Sequence, residues 1–446
     1  MTPGLVIAGT HSGCGKTTIT LGLMAALVKR GYRVQGFKTG PDYLDPTFYR
    51  AVTGREGENL DTWMVGNYQV GRIYQEASSG SDLAVVEGVM GLFDGVSATD
   101  EAGSTAGLAK VLGLPVVLVI DARSMARSVA AIVKGFTELD PDIKFGGVIL
   151  NRVGSDKHFK ILKEAINSFS SVKVLGYLPR ETSITLPERH LGLVPYYEEI
   201  GFKKQLDSLA DLIEASLDID EIRATFQEPK IKQHSYMNDP KTEGVRIGVA
   251  RDRAFGFYYQ DNLRMLEKAG VKLVNFSPLT DLELPCGLNG LYLGGGYPEL
   301  FAAQLEANGK MKASISDFIN RGLPVYAECG GLMYLGKSIK NKDGNFKMIG
   351  ALDIEVGMAE KRIALGYCEV TALTDNILLR KGENARGHEF HYSEILRSNE
   401  TGNAFITKQY QTIGFQKGNL LASYVHLHFG SNPEIAKHFA LTCSKE

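Results

Sequence analysis

Cysteine and tryptophan are scarce in this chain of 446 residues, which contains five cysteines and one tryptophan. The cysteines, at positions 14, 286, 329, 368 and 443, are odd in number, scattered along the chain and without a C-x-x-C pair. Such spacing disfavours a disulfide framework and a zinc ribbon. We therefore expect a reducing, cytoplasmic environment.

The sequence also has little that would direct it to a membrane or to nucleic acid. Its first residues, MTPGLVIAGT, show no basic segment followed by an apolar core, so no signal peptide is expected. No apolar run reaches the roughly 18 residues that a membrane-spanning helix needs. The formal net charge of −2 favours neither nucleic acid nor a membrane surface as a partner. A hydrophobic content of 44% and the length of the chain predict two globular domains.

Strand and helix patterns alternate through the first half of the chain. Continuously apolar segments, typical of strands covered on both faces, are GLVIAG, YRVQGF, LAVVEGV, PVVLVIDA, GGVILNRV and VKVLGYLP. Between them, helices are predicted over Thr17–Arg30 and Ser124–Leu139. This repetition predicts an α/β domain with a doubly wound, mostly parallel sheet over residues 1–225.

A polar segment then separates two patterned regions. Residues 226–243 have no apolar period and are the predicted linker. The strand and helix pattern restarts with VRIGVA and YYQDNLRMLEKAG, followed by VKLVNFSPL, GLYLGGGYPEL and PVYAECGG. Residues 244–446 are therefore predicted to form a second α/β domain with its own sheet.

The segment LVIAGTHSGCGKTT has the order strand, glycine loop and helix start that is typical of a phosphate loop. Its lysine would reach the terminal phosphates of a nucleotide, and the threonine that follows would bind Mg²⁺. The strict pattern has glycine six residues before the lysine, where this chain has Thr10. A loop that only turns strand into helix is the alternative. The residues predicted to bind the nucleotide are Gly13, Gly15, Lys16, Thr17 and Thr18.

Carboxylates follow two of the predicted strands. Glu87 ends LAVVE and Asp94 lies seven residues later, while Asp42 and Asp45 follow the second strand in FKTGPDYLDP. Ligands bind at the carboxyl ends of parallel strands, so these side chains are candidates to hold Mg²⁺ or to place an acceptor carboxylate. The alternative for each is a turn cap, a common role of aspartate before proline.

The segment PVYAECGGLMYL places Cys329 between an apolar strand and a glycine pair. A thiol on such a turn is exposed to substrate, and the N–H group of Gly330 and the helix N-terminus favour an oxyanion and a thiolate. Gly295 and Gly296 in YLGGGYPEL would supply the other half of an oxyanion hole. The alternative is a buried structural cysteine.

A thiol nucleophile needs a base, and ASYVHLHFGSNP offers His426 and His428. The two are two residues apart, so on a strand they share a face, and the pattern leaves the choice open. His388 and His391 in ARGHEFHYSE invite a metal hypothesis. Without further spaced ligands that pattern is weak, and substrate or structural contacts are favoured.

Together these motifs resemble the cobyrinate a,c-diamide synthase family, ATP-dependent glutamine amidotransferases of cobalamin biosynthesis. The resemblance covers nearly the whole chain. It is carried by FKTGPDYLDPTFY, VVEGVMGLFDG, LGGGYPEL, ECGGLMYL, GHEFHYSE and SYVHLHF. The first domain is similar to dethiobiotin synthetase-like phosphate-loop enzymes, and the second is similar to class I glutaminases.

The resemblance implies roles for particular residues. It implies ATP and Mg²⁺ at the phosphate loop, with Thr17, Asp42 and Glu87 at the metal, and Asn151 in VILNRV at a position that reads adenine in related folds. Cys329 matches the nucleophile and His426 its activating histidine. The residues implied around the substrate carboxylate are Asp42, Tyr43, Leu44, Asp45 and Asp94.

The implied reaction joins a corrinoid tetrapyrrole, glutamine and ATP, and the resemblance allows a homodimer. Hydrogenobyrinate and nickel-sirohydrochlorin are alternative acceptors that the motifs do not separate. A phosphate-loop switch ATPase with an inactive glutaminase-like domain is the alternative from another class. Two positions depart from related families. Class I glutaminases usually have glutamate where this chain has His428, and chromosome-partitioning ATPases have lysine where it has His11.

Overall fold

The computed structural model describes residues 1–180, 202–232 and 242–445. The chain divides into two compact units. Of the described residues, the first unit holds 1–180 and 202–232, and the second holds 242–445. No helix in these ranges combines the length and apolar character needed to cross a membrane.

The first unit is built on a parallel sheet. Its strands are β1 (Gly4–Gly9), β2 (Val34–Thr39), β3 (Glu58–Leu60), β4 (Leu83–Glu87), β5 (Val116–Asp121), β6 (Phe145–Val153) and β7 (Val174–Pro179). Its helices are α1 (Lys16–Lys29), α2 (Asp45–Thr53), α3 (Thr62–Ala77), α4 (Thr105–Leu112), α5 (Ser128–Glu138), α6 (Asp156–Phe169), α7 (Phe202–Ser216) and α8 (Ile219–Thr225). Within the described ranges the strand order is β3-β2-β4-β1-β5-β6-β7, with all neighbours parallel.

This sheet confirms the fold class predicted from the sequence. The central strands are buried along their whole length, as their continuous apolar runs require. β3 was not predicted, because its three residues, Glu58–Leu60, include two polar ones and carry no apolar signal. α5 begins at Ser128 rather than Ser124, because Ser124 has a φ of 57° and cannot start a right-handed helix.

The strand register brings distant polar residues to one end of the sheet. β4 lies between β1 and β2, so Glu87 is level with Ile7 on one side and with Lys38 on the other. On the other side of β1, Asp121 at the end of β5 is level with Asn151 in β6. The phosphate loop follows β1 at this same end of the sheet.

The first part of the predicted linker bonds to the first unit. Gln227 pairs with Gly4 in an antiparallel bridge, and the Lys230 N–H donates to the Leu112 carbonyl at 2.7 Å. Residues 233–241 of the predicted linker lie outside the described residues. The domain boundary at residue 225 stays a prediction.

The second unit is richer in strands. They are β8 (Arg246–Ala250), β9 (Phe255–Phe257), β10 (Lys272–Phe276), β11 (Gly290–Leu293), β12 (Gly295–Gly296), β13 (Val325–Glu328), β14 (Ser338–Asn341), β15 (Gly344–Lys347), β16 (Ile354–Met358), β17 (Ala364–Ala372), β18 (Asn384–His391), β19 (Ser393–Ser398), β20 (Phe405–Thr407), β21 (Thr412–Ile413), β22 (Phe415–Lys417), β23 (Leu420–Ser423) and β24 (His426–Leu427). Its helices are α9 (Gln260–Lys268), α10 (Ala302–Ala307), α11 (Gly309–Asn320), α12 (Gly330–Leu335) and α13 (Glu434–Cys443), with 3₁₀ turns at Pro298–Phe301 and Phe429–Ser431.

Two sheets of this unit meet at the second predicted site. In residues 242–445 the main sheet has the order β10-β8-β11-β13-β23-β22, parallel except for its last pair. β24 follows β23 directly but joins another sheet by pairing with β18. The chain therefore crosses from one sheet to the other just before His426, beside the end of β13.

Candidate active sites

The phosphate loop takes a backbone shape that requires glycine. Gly13 has a φ of 80° and Gly15 a φ of 105°, a region that L side chains rarely adopt. A Cβ on Gly15 would lie 2.0 Å from Nδ2 of Asn151. The amide of Asn151 donates to the Cys14 carbonyl at 2.8 Å. Asn151 thus holds the loop in place, and its predicted contact with adenine stays a prediction.

Lys16 ties the phosphate loop to the loop that follows β4. Its Nζ donates to the Met90 carbonyl at 2.5 Å and to the His11 carbonyl at 3.2 Å. Lys16 begins α1 and is buried, and Thr18 lies half-buried in the same first turn. The ammonium group and the helix N-terminus thus place positive charge together, an arrangement that favours an anion.

Glu87 is the centre of a buried polar cluster. Its Oε1 accepts from Thr17 Oγ1 at 2.7 Å and from Lys38 Nζ at 2.9 Å, and its Oε2 accepts from the Tyr49 hydroxyl at 2.7 Å. Lys38 also lies 2.7 Å from Asp45. Burial raises the pKa of Glu87, against the opposing charge of Lys38. The lysine therefore balances two buried carboxylates.

Lys38 and Tyr49 were missed by the sequence reasoning. Both lie in FKTGPDYLDPTFY, the segment whose predicted site residues are Asp42, Tyr43, Leu44 and Asp45. The available signal was a lysine inside an otherwise apolar strand, because such a residue needs a buried partner. Asp45 is fully buried in the ion pair with Lys38, and its predicted contact with substrate stays a prediction.

Asp42 and Asp94 both make turn contacts, the alternative weighed for them. Oδ1 of Asp42 accepts from the Leu44 and Asp45 N–H groups at 2.9 and 3.1 Å, just before α2. Exposed Asp94 accepts from the Gly91 N–H at 2.8 Å. Neither contact excludes a ligand.

Tyr43 and Leu44, which complete the predicted substrate set, are half-buried in the turn before α2. Across the described ranges, no group of three or more His, Cys, Asp or Glu side chains is arranged to hold a metal. A magnesium ion at Thr17 and Glu87 would therefore need phosphate or water as further ligands.

Cys329 lies on a strained turn between β13 and α12. Its φ of 46° and ψ of −99° are unusual for a residue with a side chain. Its N–H donates to the Ser423 carbonyl at 2.8 Å, which fixes the turn against β23. A Cβ on Gly331 would lie 2.2 Å from the Leu293 carbonyl oxygen, so glycine is required there. The turn is the strand-to-helix elbow expected of a nucleophile.

The glycines predicted for an oxyanion hole lie beside this turn. A Cβ on Gly330 would lie 3.1 Å from the Gly296 nitrogen, so the two backbones are in close contact. A Cβ on Gly295 would lie 2.4 Å from Cε1 of His426, so that ring packs directly on the glycine strand β12. The structure thus brings together the predicted nucleophile, both glycine segments and a histidine.

His426 is the histidine that contacts the thiol. Burial alone would lower its pKa, but interactions with Cys329 and with the nearby Glu328 carboxylate outweigh this effect and raise the pKa to about 10. Its Nδ1 lies 3.6 Å from Oε2 of Glu328. The ring is therefore charged at neutral pH, which stabilises a neighbouring thiolate. Glu328 was not singled out from the sequence, although it directly precedes Cys329.

The other histidines pack around His426. Nδ1 of His428 accepts from the Gly430 N–H at 3.1 Å, and its ring lies 4.5 Å from the ring of Tyr259. Tyr259 also hydrogen-bonds Nδ1 of His388 at 2.7 Å, and the His388 ring stacks 5.0 Å from that of His426. His428 thus caps its own turn.

His391 lies farther along β18, where its Nδ1 is 2.7 Å from the Ser393 carbonyl. Its ring stacks on Tyr424 at 3.9 Å. Burial lowers the pKa of both His388 and His391. The two residues make contacts within the fold, and the substrate or structural role favoured for them from the sequence stays a prediction.

Two family models match the chain in the order of its two units. Residues 5–194 match the CobQ/CobB/MinD/ParA nucleotide binding domain, and residues 246–434 match the CobB/CobQ-like glutamine amidotransferase domain. The chain is 43% identical over 447 residues to the cobyrinate a,c-diamide synthase of Caldanaerobacter subterraneus subsp. tengcongensis, covering 98% of each chain. The chain belongs to the cobyrinate a,c-diamide synthase family. This confirms the resemblance predicted from the motifs.

A second relative gives the same result. The cobyrinate a,c-diamide synthase of Priestia megaterium is 44% identical over 444 residues, covering 98% of this chain and 96% of the relative. Among solved structures, cobyrinic acid a,c-diamide synthase from Mycobacterium smegmatis, with a bound ATP analog and magnesium, is 16% identical over 41% of this chain and 88% of that one. Its TM-score is 0.28, and a similarity this weak adds nothing to the family assignment.

Proposed function

We propose that this chain is a carbon–nitrogen ligase that converts the a and c carboxylates of cobyrinate to amides in cobalamin biosynthesis. It uses ATP and ammonia released from glutamine. One observation carries the proposal: the same chain holds a phosphate loop facing Glu87 and a thiol on a strained turn beside His426. The family relatives bear the name of this reaction.

The second unit would release the ammonia. The Cys329 thiolate attacks the amide carbon of the glutamine side chain, and the tetrahedral oxyanion is bound by the N–H groups near Gly296 and Gly330. His426 gives its proton to the leaving ammonia, and a thioester remains. Water, deprotonated by His426, then cleaves the thioester and releases glutamate.

The first unit would activate the acceptor. A carboxylate oxygen of the tetrapyrrole attacks the γ-phosphorus of ATP, ADP leaves, and an acyl phosphate forms. Ammonia attacks the acyl carbon, inorganic phosphate leaves, and the amide is complete. Lys16 and the loop N–H groups stabilise the charge on the transferring phosphoryl group.

Thr17 and Glu87 would hold a magnesium ion. Their oxygens lie 2.7 Å apart beside the start of α1, and hydroxyl and carboxylate oxygens suit this ion. When bound, magnesium neutralises charge on the phosphates. The charge of Lys38 opposes the effect of burial on the pKa of Glu87 and so favours the ionised carboxylate that binds a cation.

Turnover with a panel of acceptors tests the proposal. The purified chain is given ATP, Mg²⁺ and glutamine with cobyrinate, hydrogenobyrinate or nickel-sirohydrochlorin, and products are read by mass. We expect two successive amidations of cobyrinate, with one glutamate released for each. Amidation of another acceptor alone would change the substrate but keep the chemistry. No amidation of any acceptor, with ATP hydrolysed regardless, would contradict the ligase.

We also infer a cytoplasmic enzyme, for which the family resemblance allows a homodimer. The scattered free cysteines support a reducing compartment. Light scattering of the purified chain against its mass of 48.7 kDa tests the dimer. A mass near 49 kDa at micromolar concentration would contradict it.

A further inference from the structure

Glu328 has the geometry of the third member of a catalytic triad. It ends β13, directly before Cys329, and its side chain is fully buried. Its Oε1 accepts from the Tyr326 hydroxyl at 2.5 Å and from the Leu427 N–H at 3.1 Å. Its Oε2 accepts from the Tyr292 hydroxyl at 3.1 Å. The carboxylate is thus fixed in one orientation by three donors.

That orientation directs Oε2 toward His426. The carboxylate oxygen and Nδ1 of the ring are 3.6 Å apart, and both side chains are buried. Hydrogen bonds between catalytic groups are often long before substrate binds and shorten in the complex. With Nδ1 on the side of Glu328, Nε2 is the ring nitrogen left to exchange a proton with the thiol.

The sequence position that supplies a histidine-orienting carboxylate in most class I glutaminases is not acidic in this chain. In class I glutaminases the residue two after the histidine is usually glutamate, and in this chain it is His428. Nδ1 of His428 accepts from the Gly430 N–H, and its ring packs on Tyr259. His428 is thus engaged in its own turn. A carboxylate from a different part of the chain is needed to orient His426, and Glu328 is in contact with it.

We propose that Glu328 is a positioning residue for the glutaminase reaction, which orients His426 through Nδ1 and stabilises its positive charge when the ring takes the thiol proton. This inference rests on the proposed glutaminase function of the second unit. No bond to Glu328 forms or breaks. The protons move between the Cys329 thiol, His426, the leaving ammonia and the water that cleaves the thioester.

Other charged or titratable groups also surround His426, and they provide the control. They include Cys329 on the elbow and three residues of β18, namely His388, Glu389 and His391. Glu389 is the useful comparison, because it is a second carboxylate close enough to feel the charge of His426 but is half-buried. If any nearby negative charge sufficed, Glu389 and Glu328 would matter equally.

The test compares Glu328→Gln with Glu389→Gln in the full chain. For Glu328→Gln we expect kcat for glutamate release to fall by roughly 10²–10⁴-fold, because the imidazolium loses its buried counter-charge and its fixed orientation. KM for glutamine should change little. Alkylation of Cys329 by iodoacetamide should need higher pH, since a less stable imidazolium leaves less thiolate. Glu389→Gln should resemble the wild type in kcat, in KM for glutamine and in the pH dependence of Cys329 alkylation.

Two measurements keep the outcome clear if Glu328→Gln folds poorly. Thermal unfolding shows whether Glu328→Gln is folded. In the wild type, ¹⁵N NMR of labelled histidine shows which nitrogen of His426 carries a proton, and His426→Gln identifies the His426 signals. We expect Nδ1 to be protonated across neutral pH. Wild-type kcat and an unshifted alkylation profile in Glu328→Gln, or a bare Nδ1 in the wild type, would overturn the inference. A wild-type enzyme that releases no glutamate would instead contradict the proposed function.

Discussion

Replacing Lys38 with methionine should destabilise the first unit and abolish amidation. Lys38 is buried between Asp45 at 2.7 Å and Glu87 at 2.9 Å. Removing one partner of a buried ion pair leaves an uncompensated charge and costs about 3–5 kcal/mol. For a unit of this size that corresponds to a fall of roughly 6–20 °C in the midpoint of thermal unfolding. Here two carboxylates are left without their cation, so the upper part of that range is expected.

The single tryptophan makes this measurement specific. Trp63 lies in α3 of the first unit, so tryptophan fluorescence follows the unfolding of that unit alone. Lys29→Met is the matched control, because Lys29 pairs with Asp211 in the same unit but both side chains are exposed. It should cause a much smaller change. Ammonium-dependent amidation and glutaminase activity complete the assay, and only amidation should be lost in Lys38→Met.

The loss of folding stability in Lys38→Met should also depend on pH. Without the lysine, the pKa of Glu87, already raised by burial, rises further, because the charge that opposed this shift is gone. The folded state then binds a proton that the unfolded state releases, so the loss of stability should be smaller at pH 5 than at pH 8. A loss no greater than that of Lys29→Met, or ammonium-dependent amidation near the wild-type rate, would refute the reasoning.

Four further outcomes are expected. Cys329→Ala should abolish glutamine-dependent amidation but keep amidation with high external ammonium. Loss of both activities would show that the thiol does more than release ammonia from glutamine. Lys16→Ala should abolish amidation from either nitrogen source, measured by product mass, and retained ammonium-dependent turnover would place the ATP site elsewhere. His426→Ala should abolish glutamate release while His428→Ala keeps a measurable fraction; the reverse order would exchange their roles. Burial raises the pKa of Glu299 to about 7, so the folded state keeps a proton that the unfolded state releases above pH 4.5. The free energy of unfolding of the wild type, measured with urea, should therefore fall relative to that of Glu299→Gln as pH rises from 4.5 to 7. Equal pH dependence of the two proteins would contradict this expectation.

The sequence predicts best those features that neighbouring residues determine. Gly13 and Gly15 permit the left-handed backbone of the phosphate loop, and Gly331 permits the crowded turn after Cys329. In each case the motif is nearly contiguous, so the residues that create the geometry are neighbours in the sequence. The buried strands of the first sheet are predicted for a similar reason, since a run of apolar residues is itself a local signal.

The partners of these motifs depend on strand register and could not be predicted. Lys38 and Glu87 are 49 positions apart and meet because β2 and β4 are neighbours in the sheet. Glu328 and His426 meet because the chain changes sheets just after β23. Neither the strand order nor the crossover has a signature in composition or spacing. Asp42 makes contacts within its own turn, and its predicted ligand role stays a prediction.

The two buried glutamates at these sites differ in what balances their charge. Glu87 and Glu328 each end a central strand, and each accepts a hydrogen bond from a tyrosine hydroxyl. Glu87 is bonded to a lysine, whose charge is present at every stage of a reaction. Glu328 faces His426, whose charge disappears when the ring gives its proton to the leaving ammonia and returns when it takes a proton from water. A permanent positive charge beside Glu87 suits a carboxylate that binds a cation. A positive charge that changes with proton transfer, beside Glu328, suits a carboxylate that stabilises the charged form of the histidine. The contrast supports a binding role for Glu87 and a positioning role for Glu328.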